Sequence, residues 1–151
     1  MEGLANKIFL NPARMALMPP AGIIMDYSLT FFFAGSTDNI MMYEYSPVMR
    51  ASAAAGLIFP AMLLIAGFYY FAAFKGLKIL LKSRIYPFGV AVAATIMLTH
   101  IMGGFSWVIK NQTYAYTVFG MSLMTIIIAF SAFLYSALPA GRISEGNTYC
   151  K

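Results

Sequence analysis

The chain has 151 residues and a formal net charge of +5, with 61% of its residues hydrophobic and only 10% charged. A soluble domain is about 45–50% apolar and about 25% charged, so this composition excludes an ordinary soluble protein and indicates a chain dissolved in lipid. One histidine and one cysteine are too few for bis-histidine haem, a copper cluster or an iron–sulfur cluster held by this chain alone, so we expect no cofactor and no metal.

The N-terminal region, up to Asn11, is too polar for the apolar core of a signal peptide, so we expect none. Leu4 and Ile8 would share one face of an amphipathic helix on the inner membrane surface, and a disordered tail is an equally weighted interpretation. The first membrane segment is predicted from about 15 to 35, with Asp26 inside it.

The connection from 36 to 50 is rich in methionine and tyrosine, so we expect it to lie against the outer membrane surface or to dip back into the membrane. The second membrane segment is predicted from about 51 to 74, because this stretch is free of charge and long enough for a tilted span. Pro60 inside it predicts a bend, since a proline in a helix removes one backbone hydrogen bond.

The third membrane segment is predicted from about 86 to 109 and the fourth from about 114 to 138. These segments predict an all-α fold, a single membrane domain over 1–151 built as a bundle of four transmembrane helices. Between the second and third segments lies the most basic stretch of the chain, 75–85, which we expect to contact anionic lipid head groups. Its basic residues are Lys75, Lys78, Lys82 and Arg84.

The distribution of positive charge predicts the orientation. With four spans, eight of the ten Lys and Arg residues fall on the side of the two termini, and only Arg50 and Lys110 fall on the other. Positive residues favour the cytoplasmic face, so we expect both termini there, in a multi-pass protein of the cell membrane. The expected partners are the lipid bilayer and other membrane subunits or further copies of the chain, and no nucleic acid.

Two ionisable side chains fall inside predicted spans. Asp26 lies at a depth where an ionised carboxylate is costly, so a functional role and a protonated or helix-capping role are weighted equally. His100, the only histidine, falls within roughly two helical turns of Asp26 in depth, at about 1.5 Å per residue. The two would make a proton-exchanging pair, but the preferred interpretation is a lone buried histidine hydrogen-bonded to a neighbouring helix.

A third acid, Glu44, stands in the outer connection, just before Ser46-Pro47, where proline forces the preceding residue to be extended. Glu44 would face a cleft at the outer interface, or it is simply a solvated acid, which is the preferred interpretation. The sequence contains no G-x-S-x-G, H-E-x-x-H or Walker motif, so we expect no enzymatic activity.

The pattern D-x-x-x-T from Asp26, followed by E-x-S-P from Glu44, resembles a motif in a group of small, uncharacterised, four-span membrane proteins found mainly in archaea. The stretch HIMGGFSW, which begins at His100, is similar to the third span of that group. The group usually has asparagine in place of Ser46. The resemblance implies a four-span fold and no activity, and it marks as one structural unit Asp26, Thr30, Glu44, Ser46 and Pro47. That unit would be a re-entrant elbow, with Asp26 accepting hydrogen bonds from the broken backbone.

Two functions fit these observations. The small size and the lack of a complete active site favour a non-catalytic accessory or scaffold subunit of a larger membrane complex, which is the preferred hypothesis. The alternative is a small proton or cation transporter or channel, alone or as a homo-oligomer, in which Asp26 and His100 line a polar path.

Overall fold

The computed structural model describes residues 9–44 and 46–137, and all regular structure within these ranges is helical. The predicted amphipathic segment, most of which falls in 1–8, and the end of the chain from 138 lie outside the described residues. The helices are α1 (Pro12–Met15), α2 (Met18–Ala34), α3 (Thr37–Tyr43), α4 (Pro47–Ala54), α5 (Ile58–Leu80), α6 (Tyr86–Ile109) and α7 (Gln112–Ala137).

Within the described residues, the structure confirms four helical stretches long and apolar enough to cross a membrane. These stretches are Pro12–Ala34, Ile58–Leu80, Tyr86–Ile109 and Gln112–Ala132. The first combines α1 and α2, and it begins at Asn11, whose side chain accepts hydrogen bonds from the backbone N–H groups of Ala13 and Arg14. A turn at Ala16 and Leu17 separates α1 from α2 directly before the proline pair. Pro19 and Pro20 fall in the first turn of α2, where a missing N–H leaves no hydrogen bond of α2 unmade.

The connection predicted to lie on the outer side, which keeps the name outer connection, contains two short helices, α3 and α4. Each begins at a serine: Ser36 accepts from the N–H of Asn39 at 3.2 Å, and Ser46 accepts from the N–H of Met49 at 3.3 Å. Ile40 and Met49 are buried, and they anchor α3 and α4 to a core cluster that α2 and α5 also build. The connection therefore packs on the bundle, and its entry into the membrane stays a prediction.

The second span differs from the predicted range of 51 to 74. A break at Gly56, whose φ of +67° suits glycine, separates α4 from α5, so the stretch from Ala51 to Ala54 belongs to α4 and the long helix runs over Ile58–Leu80. Pro60 consequently lies in the first turn of α5, and the predicted bend is wrong because no hydrogen bond is lost there. Lys75 and Lys78 lie on the last turns of α5 rather than in a loop.

The third span agrees with the predicted range, since α6 covers Tyr86–Ile109. The turn to α7 consists of Lys110, in the left-handed region at φ +44°, and Asn111, whose side chain accepts hydrogen bonds from the N–H groups of Thr113 and Tyr114. The fourth span begins at Gln112, slightly before the predicted position.

The bundle is organised around the close packing of α2 against α6. Gly22 makes this possible, because a Cβ there would lie 2.7 Å from both Cα and the carbonyl oxygen of Met97. Farther along, a Cβ on Gly104 would lie 2.9 Å from Cβ of Leu29. Small residues at such contacts are typical of helix packing in membranes, where lipid removes the hydrophobic drive between helices.

Candidate functional site

The centre of the α2–α6 interface holds a pair of ionisable side chains. His100 Nδ1 and Asp26 Oδ2 share a hydrogen bond of 2.9 Å, with the side chains 27% and 22% exposed. Gly104, one turn after His100, allows this approach, because a Cβ there would lie 3.1 Å from Cα of Asp26. The structure therefore supports the paired interpretation of Asp26 and His100 over a lone histidine.

Such a pair keeps its hydrogen bond in more than one protonation state. The imidazole N–H donates to the carboxylate when Asp26 is ionised, and the carboxylic O–H donates to the imidazole nitrogen when Asp26 is neutral. The arrangement can therefore hold a proton on either partner without leaving a buried polar atom unpaired. This suits a place inside a membrane span, where an unpaired charge is costly.

Tyr69 is a third member of the site that the sequence analysis did not identify. Its ring meets the His100 imidazole edge-on, with centroids 5.7 Å apart. The predicted second span places Tyr69 near the inner membrane interface, but the later start of α5 moves it to the middle of the helix. The sequence signal for this shift is Gly56 itself, because glycine is common where a helix ends in the left-handed conformation.

The Asp26–His100 pair opens onto a cleft of ≈ 520 Å³ between α2, α4, α5 and α6. All five side chains predicted from the sequence line this cleft: Asp26, Thr30, Glu44, Ser46 and His100. Tyr27 and Tyr69 also line it, together with apolar side chains of α4 and α5. The structure thus joins into one site residues that come from two transmembrane helices and the outer connection.

The turn before α4 brings Glu44 and Ser46 to the cleft. Glu44 Oε1 accepts a hydrogen bond of 2.9 Å from the backbone N–H of Ser46, and Ser46 in turn caps α4. Glu44 therefore accepts a hydrogen bond from the backbone of this turn, whereas Asp26 pairs with His100, and the predicted re-entrant elbow stays a prediction. Asparagine, usual at this position in the group that the chain resembles, is as good an N-cap residue as serine, so Ser46 keeps the same local role.

Thr30 follows Asp26 by one helical turn on α2 and is only 3% exposed. Its position shows why D-x-x-x-T forms part of the site: residues four apart on a helix share a face, so both side chains point toward the same cleft. The sequence pattern therefore marks one wall of the cleft, and the E-x-S-P turn marks another.

A second pocket, with a larger volume of ≈ 690 Å³, lies at the outer ends of α2, α6 and α7. Trp107, Lys110, Asn111 and Gln112 line it, and so does Glu44. Glu44 therefore stands at the boundary between this outer pocket and the cleft that holds the Asp26–His100 pair.

The basic residues predicted to meet lipid head groups all lie exposed at the opposite end of the bundle. Lys75 and Lys78 extend from the last turns of α5, where their ammonium groups lie over the rings of Phe71 and Phe74 at 5.3 and 5.8 Å. Lys82 and Arg84 follow in the turn to α6. None of these four residues lines the cleft, and their lipid contact stays a prediction.

Among the described residues, no group of three or more His, Cys, Asp or Glu side chains is placed to hold a metal ion. Compared with models of protein families, with curated proteins and with solved structures, the chain has no match. The resemblance based on the D-x-x-x-T and E-x-S-P patterns stays a prediction, and the candidate function depends on the geometry of the cleft.

Proposed function

We propose that this chain is a small membrane transport protein that moves protons or a small cation by way of the Asp26–His100 pair. The observation that carries the proposal is the convergence of Asp26, His100, Thr30, Glu44 and Ser46 on one cleft. Ionisable side chains are costly inside a membrane and typically mark ion or proton pathways. A carboxyl–imidazole pair that keeps its hydrogen bond in alternative protonation states supplies the required exchange site.

The access route supports transport over mere structural pairing. Glu44 borders both the cleft and the outer pocket, which Lys110 also lines, so one carboxylate lies between the pocket and the Asp26–His100 pair. By the charge distribution of the sequence, the outer pocket faces away from the cytoplasm and the end of α5 with Lys75 and Lys78 faces toward it. We propose that both termini are cytoplasmic and that the protein resides in the cell membrane.

The test is proton and cation flux into liposomes that contain the purified chain, with Asp26→Asn as the variant. The amide still hydrogen-bonds to His100, so the fold is retained, but it cannot exchange a proton, and flux should fall to the level of empty liposomes. Asp38→Asn is the matched control, because Asp38 is exposed on α3 and does not line the cleft. Normal flux through a folded Asp26→Asn variant would show that the pair is not the exchange site.

An accessory role in a larger complex is the second proposal. It is supported by the exposure of α5 and α7: in the apolar 18-residue stretch of each helix, only 11% of the residues are buried within the protein. Such faces fit lipid or the helices of a partner or of a second copy. Native mass spectrometry of the chain extracted from its own membrane tests this role: a defined larger complex supports it, and a lone chain that conducts ions excludes it.

A further inference from the structure

An apolar groove adjoins the cleft on its inner side. It has a volume of ≈ 290 Å³ and lies between α5, α6 and α7. Small residues from all three helices open this space: Ala72, Gly76, Gly89, Ala93, Ala129 and Ala132. Because these side chains are short, the helices leave room beside α5 that lipid or a ligand must fill.

The groove and the cleft are adjacent, and we call the two together the furrow. Phe68 and Tyr69 line both, and the lining residues of α5 run from Leu64 at the outer end to Leu80 at the inner end. At about 1.5 Å per residue, this side of α5 extends for roughly 24 Å, a large part of the hydrocarbon thickness of a bilayer. The furrow is therefore polar and acidic at one end and apolar along the remainder.

The furrow is also open toward the membrane. Leu64 and Phe68, which line its outer half, are 76% and 69% exposed on helix α5, which crosses the hydrocarbon region. A molecule dissolved in the bilayer can therefore reach the Asp26–His100 pair from the side, without passing through the outer pocket. This opening places polar side chains next to hydrocarbon, which offers them no hydrogen bonds. A bound molecule with a polar head group would supply those hydrogen bonds.

We propose that the furrow binds a membrane amphiphile with an amine head group and one hydrocarbon tail. The head group would lie between Asp26 and Glu44, and the tail would lie along α5. Two carboxyl groups and one imidazole line the polar end, and among the described residues that line the cleft none is Lys or Arg. This charge is complementary to a cation. Lipid tails are as apolar as the groove, so the hydrocarbon tail alone gives little preference for this amphiphile over the surrounding lipid. Selectivity comes from the charged head group, which binds at a site of low dielectric.

The proposal requires the cleft but does not require ion transport, so the two can fail separately. The probe is hexadecylamine with a photoactivatable diazirine at the end of its chain, added to the purified full-length protein in lipid nanodiscs. Crosslinks should map to the inner half of the furrow, from Gly76 to Leu80, and unlabelled hexadecylamine should remove them. Butylamine, which lacks the chain, and hexadecanoate, which has the opposite charge, should compete poorly. Uniform labelling of all lipid-exposed helices, or equal competition by hexadecanoate, would overturn the proposal.

Two glycines of α5 provide matched variants. A Cβ on Gly76 and a Cβ on Gly67 each meet nothing within 4 Å, so neither backbone position opposes a side chain, but only Gly76 lines the groove. Gly76→Leu fills the space needed by the chain, and labelling should fall by about tenfold, the loss expected from overpacking a binding site. Gly67→Leu should label like the wild type, and equal labelling of the two variants would refute the assigned groove.

Ion flux separates the two proposals. Gly76 lies outside the cleft, so Gly76→Leu should transport like the wild type while it loses the amphiphile. Asp26→Asn should lose flux and should also label more weakly, because it removes one of the two carboxylates that pair with the amine. If Asp26→Asn loses flux but labels like the wild type, the amine head does not bind at Asp26, and the amphiphile proposal fails while the transport proposal stands.

Discussion

Replacement of Gly22 by alanine tests whether the close packing of α2 on α6 holds the Asp26–His100 pair together. The new Cβ would lie 2.7 Å from both Cα and the carbonyl oxygen of Met97. These are backbone atoms, so a side-chain rotation cannot relieve the contact. To reach the 3.4 Å at which ordinary contacts begin, the helices must separate locally by about 0.7 Å.

That separation acts directly on the site, because Asp26 follows Gly22 by one turn on α2 and His100 follows Met97 by about one turn on α6. If the movement lies along the bond, the 2.9 Å hydrogen bond between Asp26 and His100 lengthens to about 3.6 Å, which is beyond hydrogen-bonding range. Overpacking of this kind typically costs about 1–3 kcal/mol. Gly22→Ala should therefore lower both the free energy of unfolding and the transport activity.

The assay is reversible unfolding in mixed detergent micelles, followed by circular dichroism, with flux in liposomes as the second readout. Gly120→Ala on α7 is the control, because its Cβ would meet nothing within 4 Å. It should leave flux unchanged and stabilise the helix by about 0.5–1 kcal/mol, since alanine is the better helix former. A Gly22→Ala protein as stable and as active as the Gly120→Ala protein would refute the proposed close approach of α2 and α6.

Two further predictions concern the turn before α4 and the orientation of the chain. Ser46→Ala removes the hydrogen bond that the Ser46 hydroxyl accepts from the N–H of Met49, and it should destabilise the protein by about 1 kcal/mol. Ser46→Asn should retain stability because asparagine also caps helices. Equal unfolding curves for the two variants would contradict the capping role of Ser46. Cys150 is the only cysteine, and the proposed orientation places it on the cytoplasmic side. A membrane-impermeant maleimide should therefore label it in inverted membrane vesicles and not in intact cells. Labelling in intact cells would reverse the proposed orientation.

Local signals were sufficient for the number of spans and for one set of boundaries. The charge-free, apolar runs predicted four membrane helices, and the third, from 86 to 109, coincides with α6, because the basic turn before it and Lys110 after it mark both ends. The second span was misplaced for a physical reason. A hydropathy pattern does not register the backbone conformation of Gly56, which ends α4 and begins α5 later than predicted.

The candidate site shows the same division. The sequence by itself determined which side chains are exceptional, because Asp26 and His100 are ionisable groups in apolar runs and Ser46-Pro47 interrupts the outer connection. Only the tertiary structure decided that Asp26 and His100, 74 positions apart, share a hydrogen bond, and that Tyr69 and Glu44 meet them at one cleft. Those contacts depend on the rotation and relative depth of packed helices. Both are set by where small residues such as Gly22 and Gly104 allow backbones to approach, and this information is not local to any one segment.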